Sequence, residues 1–268
     1  TAASSRFHNA IARLKPDHTM LIGDEVHGLG SPQLRSSLTD RAGIRLGLSA
    51  TPRRWYDDEG TEAIFSYFGQ TCFEYTLEQA IGKYLTPYKY HPQLVSLTDE
   101  EADYYEALTS QITSLMPQAE RDPEVHEQMK MLLLKRARVV SGAQEKLPAM
   151  LALLESLIKQ NRRDGRETRD ILIYCAPGRH REVLQAVAAL GLRCHEFVHN
   201  VSLHDRERLL EQFASGDIQV LVAIKCLDEG VDVPSTRIAF VLASSTNPRE
   251  FVQRRGRILR MAKGKSEA

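Results

Sequence analysis

A chain of 268 residues, 42% hydrophobic and 26% charged, is long enough for one large domain or two ordinary ones of a globular kind. Lys plus Arg and Asp plus Glu each total 35, so the basic excess of a small, non-specific DNA-coating protein is absent. No apolar run nears the ~20 residues of a bilayer crossing, and the start, Thr1-Ala2-Ala3-Ser4-Ser5-Arg6, has no signal-peptide pattern.

The first section alternates strand and helix signals. Thr19-Met20-Leu21-Ile22-Gly23 is a short apolar run that stops at Asp24-Glu25, and Ile44-Arg45-Leu46-Gly47-Leu48 is a second, stopping at Ser49-Ala50-Thr51-Pro52. Thr76 with Gln79 three residues on is a capping box, predicting a helix over Leu77, Ala80 and Ile81. The middle is helical. Thr98 with Glu101 opens a helix through Tyr104, Leu108 and Ile112, which Pro117 and Pro123 are expected to interrupt. A second helix follows from about Glu124 to Val140, its Lys130, Lys135, Arg136 and Arg138 forming a basic face. That face reads as solvated surface in preference to a nucleic-acid contact. Ala149 to Gln160 is a third helix, and Asn161 to Asp170 an exposed loop.

From Ile171 the alternation returns. Strands are predicted at Ile171 to Cys175, Arg193 to Val198, Gln219 to Ile224 and Ile238 to Ala243, with helices at Arg179 to Leu190 and Asp205 to Ala214. Such alternation predicts an α/β fold, a parallel sheet with helices on both faces and right-handed crossovers. All strand carboxyl ends then share one edge, where ligand sites belong. Cys72, Cys175, Cys194 and Cys226 form no C-x-x-C pair and read as reduced thiols of a cytoplasmic protein.

Several groups at strand ends can carry chemistry. Asp24 and Glu25 offer one carboxylate for magnesium bridging nucleotide phosphates and a second to orient the attacking water. An adjacent Asp-Glu pair is also common at solvated strand ends. Ser49 and Thr51 flank a small residue, as suits a hinge relaying hydrogen bonds, or an ordinary turn before Pro52. After the Gln219 to Ile224 strand comes Asp228-Glu229-Gly230-Val231-Asp232-Val233-Pro234, where Gly230 admits close approach of a phosphate or sugar and Asp232 is an acceptor. Gln253-Arg254-Arg255-Gly256-Arg257-Ile258-Leu259-Arg260 is denser in arginine than routine surface. Arg257 and Arg260, three apart, share a face on a helix and suit a γ-phosphate clamp. A basic helix on nucleic-acid backbone is the rival reading of that segment taken alone.

Asp24-Glu25-Val26-His27, Ser49-Ala50-Thr51, Asp228 to Pro234 and Gln253 to Arg260 resemble motifs II, III, V and VI of superfamily 2 helicases, in the family's order. Gly47 to Pro52 and Gln253 to Arg260 look closest to the branch of the xeroderma pigmentosum B helicase and bacterial DNA repair and restriction helicases. Ile171 to Pro177 is similar to motif IV. The resemblance implies RecA-like parallel sheets, ATP as substrate and Mg2+ as cofactor, held at Asp24 through the nucleotide. Glu25 would activate water, and His27 would link the site to the other lobe. Ser49 and Thr51 would couple hydrolysis to movement, Gly230, Asp232 and Gln253 would sense nucleotide, and Arg257 and Arg260 would be arginine fingers.

The chain departs from that family in lacking any G-x-x-x-x-G-K-[ST] phosphate loop, and in starting with Thr1. The expectation is a truncated product that hydrolyses ATP negligibly alone. Its residues 1–85 would be the end of a first RecA-like lobe, and 86–268 the second lobe with a helical insertion at about 98–160. The implied partners are nucleic acid, DNA before RNA, and the missing amino-terminal part of the first lobe; no membrane partner is implied. A catalytically silent nucleic-acid-binding scaffold is the alternative.

Overall fold

Short runs of leucine and β-branched residues become strands here, and what covers each run decides how deeply it is buried. The computed structural model describes residues 4–54, 57–197, 203–224, 233–243, 256–262 and 264–268. They fall into two units, Thr1–Thr76 and Leu77–Ala268.

In the first unit, helix α1 (Ser5–Ile11) starts at Ser4, whose Oγ accepts the Phe7 N–H at 3.3 Å. Strands β1 (Met20–Gly23) and β2 (Ile44–Gly47) pair in parallel, Met20 beside Ile44 and Gly23 beside Gly47. Helix α2 (Asp58–Phe68) lies against them through Phe68. A Cβ at Gly47 would stand 3.1 Å from that ring, so the missing side chain is what lets helix and sheet close together.

The second unit opens with a single helical turn, α3 (Leu77–Ala80), where the capping signal at Thr76 predicts a helix, ending one residue short of Ile81. Helix α4 (Asp99–Ala119) has the full capping box of Thr98 and Glu101. Pro117 does not interrupt it. The proline sits in the last turn, where it removes one backbone bond, and Leu108, Ile112 and Ala119 are buried along one side to the end of the helix. Helix α5 (Pro123–Ser141) starts with Pro123 at its first position, where no N–H is needed, and folds back on α4. The basic face expected on α5 is not there. At about 100° per residue Lys130, Lys135, Arg136 and Arg138 spread around the helix. Arg136 turns inward, 5.5 Å over the Tyr105 ring with Nη1 donating to Thr109 Oγ1 at 3.3 Å, and Lys130 pairs with Glu127 on its own helix.

Helix α6 (Lys146–Arg163) leads into the sheet. Strand β3 (Ile171–Tyr174), helix α7 (His180–Ala189), strand β4 (Cys194–Phe197), helix α8 (Leu203–Ser215), strand β5 (Val220–Ala223) and strand β6 (Ile238–Val241) follow. The four strands are all parallel, in the order β4-β5-β3-β6. Alternation along β3 and β5 builds two cores. Ile171, Ile173, Val220 and Val222 face Met150 and Leu154 of α6 and Val183 and Val187 of α7. Leu172, Tyr174, Leu221 and Ala223 face Leu209 and Phe213 of α8. The second unit is thus a parallel sheet with helices on both faces, the α/β architecture that the alternation predicts, and α4 and α5 pack on each other ahead of it in sequence.

Candidate functional site

Strand β1 delivers its carboxylates at its carboxyl end. Asp24 and Glu25 are both exposed, and Asp24 Oδ1 accepts the Glu25 N–H at 2.9 Å. Glu25 has φ 49° and ψ 46°, a left-handed conformation that L-residues adopt rarely and that recurs at functional sites. The 3₁₀ turn Val26–Gly30 starts there. Two backbone bonds hold this turn against the end of β2: Leu48 N–H to Gly23 O at 2.8 Å and Val26 N–H to Leu48 O at 3.1 Å.

Those bonds bring the predicted motif II and motif III residues together. His27 is 4% exposed. Its Nδ1 lies 3.1 Å from Ser49 Oγ and 3.3 Å from Glu25 Oε2. One ring nitrogen thus stands within reach of both a carboxylate and a hydroxyl oxygen. Ser49 Oγ also accepts the Thr51 N–H at 3.2 Å. Thr51 Oγ1 is buried with no hydrogen-bond partner, an unusual condition for a hydroxyl and one that a bound group can relieve.

Sequence reasoning missed the residues that brace this turn. Arg54 donates from Nη1 to the His27 carbonyl, from Nε to Asp57 Oδ2 at 2.6 Å, and its backbone N–H goes to Thr61 Oγ1 at 2.9 Å. Asp57 caps α2, its Oδ1 accepting the Gly60 N–H at 2.7 Å. The Arg54 hydrogen bond first, and then that of Gly60, hold the Asp57 carboxyl below its ordinary 3.8. Arg35 donates to the Gly30 carbonyl at 2.8 Å and pairs with Glu59 at 2.8 Å, which raises its own pKa and lowers that of Glu59. Gly30 and Gly60 meet so closely that a Cβ on Gly30 would lie 2.5 Å from Gly60 O. The adjacent pair Arg53-Arg54 after Pro52 was visible as charge, but nothing in its spacing pointed to a backbone carbonyl at His27.

In the second unit, 256–258 form a helical turn carrying Arg257, and Arg260 lies past it in an antiparallel bridge with Leu85. The two arginines therefore do not occupy successive turns of one helix, because the chain leaves the helix at Leu259 to pair with the 81–86 segment. Gly230, Asp232 and Gln253 lie outside the described residues, as do Asp228, Glu229, Arg254 and Arg255. Cys175 and Cys194 are free thiols, and burial raises the Cys194 pKa.

Among the described residues no group of three or more His, Cys, Asp or Glu could hold a metal ion. The exposed, partly engaged carboxylate of Asp24 fits a different arrangement, in which a hard cation takes one protein oxygen and fills its other positions from phosphate and water.

Residues 149–262, from α6 to the arginine segment, match the helicase conserved C-terminal domain. The chain is also 29% identical over 261 residues to a DNA 3'-5' translocase XPB2 of Sulfurisphaera tokodaii, an alignment covering 90% of this chain and 55% of that protein. It is 29% identical over 253 residues to a DNA 3'-5' helicase XPB of Kineococcus radiotolerans, covering 91% of this chain and 37% of the other. The chain thus carries a helicase conserved C-terminal domain and is similar over nine-tenths of its length to XPB-like helicases of superfamily 2. It spans about half or less of the length of these helicase relatives. The fold agrees. The helicase domain of Pyrococcus furiosus Hef superposes over 100% of this chain and 74% of its own, with a TM-score of 0.53 at 14% identity, which marks the sheets as RecA-like. Among the described residues no helix is long and apolar enough to cross a membrane.

Proposed function

We propose that this chain works within an ATP-hydrolysing motor that moves on nucleic acid, DNA in preference to RNA. The observation that carries the reading is the His27 imidazole, buried between the Glu25 carboxylate and the Ser49 hydroxyl. It joins the residue that would orient the attacking water to the end of the neighbouring strand. A change at the nucleotide would thereby reach β2, which is the coupling a motor needs. Ser49 and Thr51 would pass it on, and the unpartnered Thr51 hydroxyl gives that step a free donor.

In this reading residues 1–85 are the end of a first RecA-like lobe. Residues 86–268 are the second lobe, interrupted at about 98–160 by the helical section. Asp24 would hold Mg2+, which when bound neutralises charge on the outer phosphates. Arg257 and Arg260 would approach the γ-phosphate and stabilise charge as it leaves, a device worth ~10³ to 10⁵ in rate. Gly230, Asp232 and Gln253 would sense the nucleotide. The printed names of the XPB relatives favour DNA as the track. Contacts to backbone phosphates would make binding salt-sensitive and only mildly sequence-selective. With no G-x-x-x-x-G-K-[ST] sequence in its 268 residues, the chain alone is expected to hydrolyse ATP negligibly, the activity belonging to a longer protein that supplies that loop.

The test is ATP hydrolysis by the longest protein containing this chain, with and without DNA or RNA, beside Glu25→Gln. Stimulation by DNA above RNA, with a loss of ~10² to 10⁴ in kcat on substitution, is the expected result. A well-folded protein without nucleic-acid-dependent hydrolysis would sink the motor and leave a silent nucleic-acid-binding scaffold.

A further inference from the structure

The last residues of the chain fold back beneath the arginine segment. Lys265 is 8% exposed. Its Nζ donates to the carbonyl oxygens of Pro234 and Arg260, each at 3.2 Å, and to that of Ile258 at closer range. An ammonium has three N–H donors, so three carbonyls saturate it, and such saturation is what makes burying the charge tolerable. The Thr86 N–H also donates to Leu259 O at 2.6 Å, and Thr86 Oγ1 to Arg260 O at 3.4 Å. Three successive carbonyls, of Ile258, Leu259 and Arg260, are thus gripped alternately by Lys265 and Thr86. Ile258 closes the turn that carries Arg257, and Arg260 ends the gripped stretch.

The grip is itself anchored in the sheet. Arg237, at the entrance to β6, donates from Nη2 to Gly264 O at 3.0 Å and pairs through Nε with Asp170 at 3.2 Å. Asp170 is 4% exposed, stands just before β3 and pairs also with Arg169 at 3.2 Å.

We propose that Lys265 is a positioning residue for Arg257 and Arg260, its ammonium fixing the stretch of backbone from which both side chains leave. The inference rests on the reading that these arginines meet nucleotide phosphates. A finger that acts in the transition state must be placed beforehand, since a misplacement of about 1 Å can cost ~10² in rate. Both side chains leave the gripped stretch of backbone, Arg257 half-buried and Arg260 exposed, so the grip sets where each begins. Charge tunes the device. Burial first, and Arg237 second, bring the Lys265 pKa down to about 8, with Asp170 acting in the opposite direction. At neutral pH the nitrogen keeps three donors for its three carbonyls. Above about 8 it has two donors, and a lone pair then faces one of the carbonyls.

The test has two arms. In this chain, backbone order parameters at 256–260 and the carbonyl ¹³C shifts of Pro234, Ile258 and Arg260 are followed by NMR in the unsubstituted protein, Lys265→Met and Lys265→Arg. The expected result is a loss of order at 256–260 in Lys265→Met alone. The three carbonyl shifts should move together near pH 8 in the unsubstituted chain and stay flat in Lys265→Arg. Unchanged order, or shifts that ignore that pH range, overturns the proposal, and the pH arm needs no substitution that risks unfolding. In the longest protein containing the chain, Lys265→Met should lower kcat tenfold or more with the KM for ATP within about twofold, and Lys265→Arg should restore most of it. A kcat unchanged, or one that falls only together with thermal stability, also overturns the positioning role. Absence of hydrolysis from the unsubstituted protein would instead remove the nucleotide reading, while the NMR arm still decides whether Lys265 holds the segment.

Discussion

Ile173 and Val222, in the sheet of the second unit, have no solvent exposure, whereas Ile22 and Ile44, in that of the first, are each 60% exposed. The residue types are alike and both sheets are parallel, so strand propensity does not separate them. The difference is cover. α6 and α7 lie on one face of the four-stranded sheet and α8 on the other, while the two-stranded sheet has α2 against its glycines. Burial on both faces fills β3 and β5 with apolar residues at every position, as parallel sheets require. The second unit is therefore where stability is expected to concentrate, and the first unit is held by polar ties around a turn.

The sharpest way to break this contrast is Phe213→Ala. The ring is fully buried in the core under α8, and its loss should destabilise the second unit by about 3–5 kcal/mol, read as urea unfolding followed by circular dichroism. A cost below ~1 kcal/mol would mean that this core is loosely packed. A smaller effect is expected in the first unit from Asp57→Asn, which keeps a capping side chain but removes the charge facing Arg54 and Arg35: about 1 kcal/mol, followed by the fluorescence of the single tryptophan, Trp55. The sign with pH is fixed. The Asp57 carboxyl is held below 3.8 in the folded state, so its contribution is fully present above that value and is lost as pH falls through the folded pKa. Asp57→Asn should flatten that acid limb, and an unaltered limb would assign it to other carboxylates. Least of all, Ile22→Thr should change stability by no more than about 0.5 kcal/mol. A cost several times larger would show that this face of β1 is packed in solution, and the contrast between the sheets would fall.

How much of this was legible in the sequence depends on the kind of interaction. The apolar runs of β3 and β5 and the helices between them are local patterns, and the structure places each within a residue or two of where alternation does. The order of the helicase-like motifs was legible, as were the hydroxyl of Ser49 and the imidazole of His27, which the pairing of β1 with β2 brings to 3.1 Å. What escaped were bonds from long cationic side chains to backbone carbonyls: Arg54 to His27, Lys265 to Ile258 and Arg260. A carbonyl carries no side-chain signature, so no spacing rule finds its partner. The basic face of α5 failed for a different reason. Arg136 is drawn to the ring of Tyr105 across the hairpin, a tertiary pull that a list of charges along one helix does not contain.

Glu101 joins the two ends of the α4–α5 hairpin. Its Oε2 accepts the Thr98 N–H at 3.1 Å at the start, and its Oε1 accepts the Gln144 N–H at 3.0 Å where the hairpin has returned. One carboxylate thereby closes the excursion at its base, at the opposite end of the hairpin from the turn around Arg121 and Asp122. A branch closed at its base can lengthen or shorten at its tip while the residues that close it keep their places.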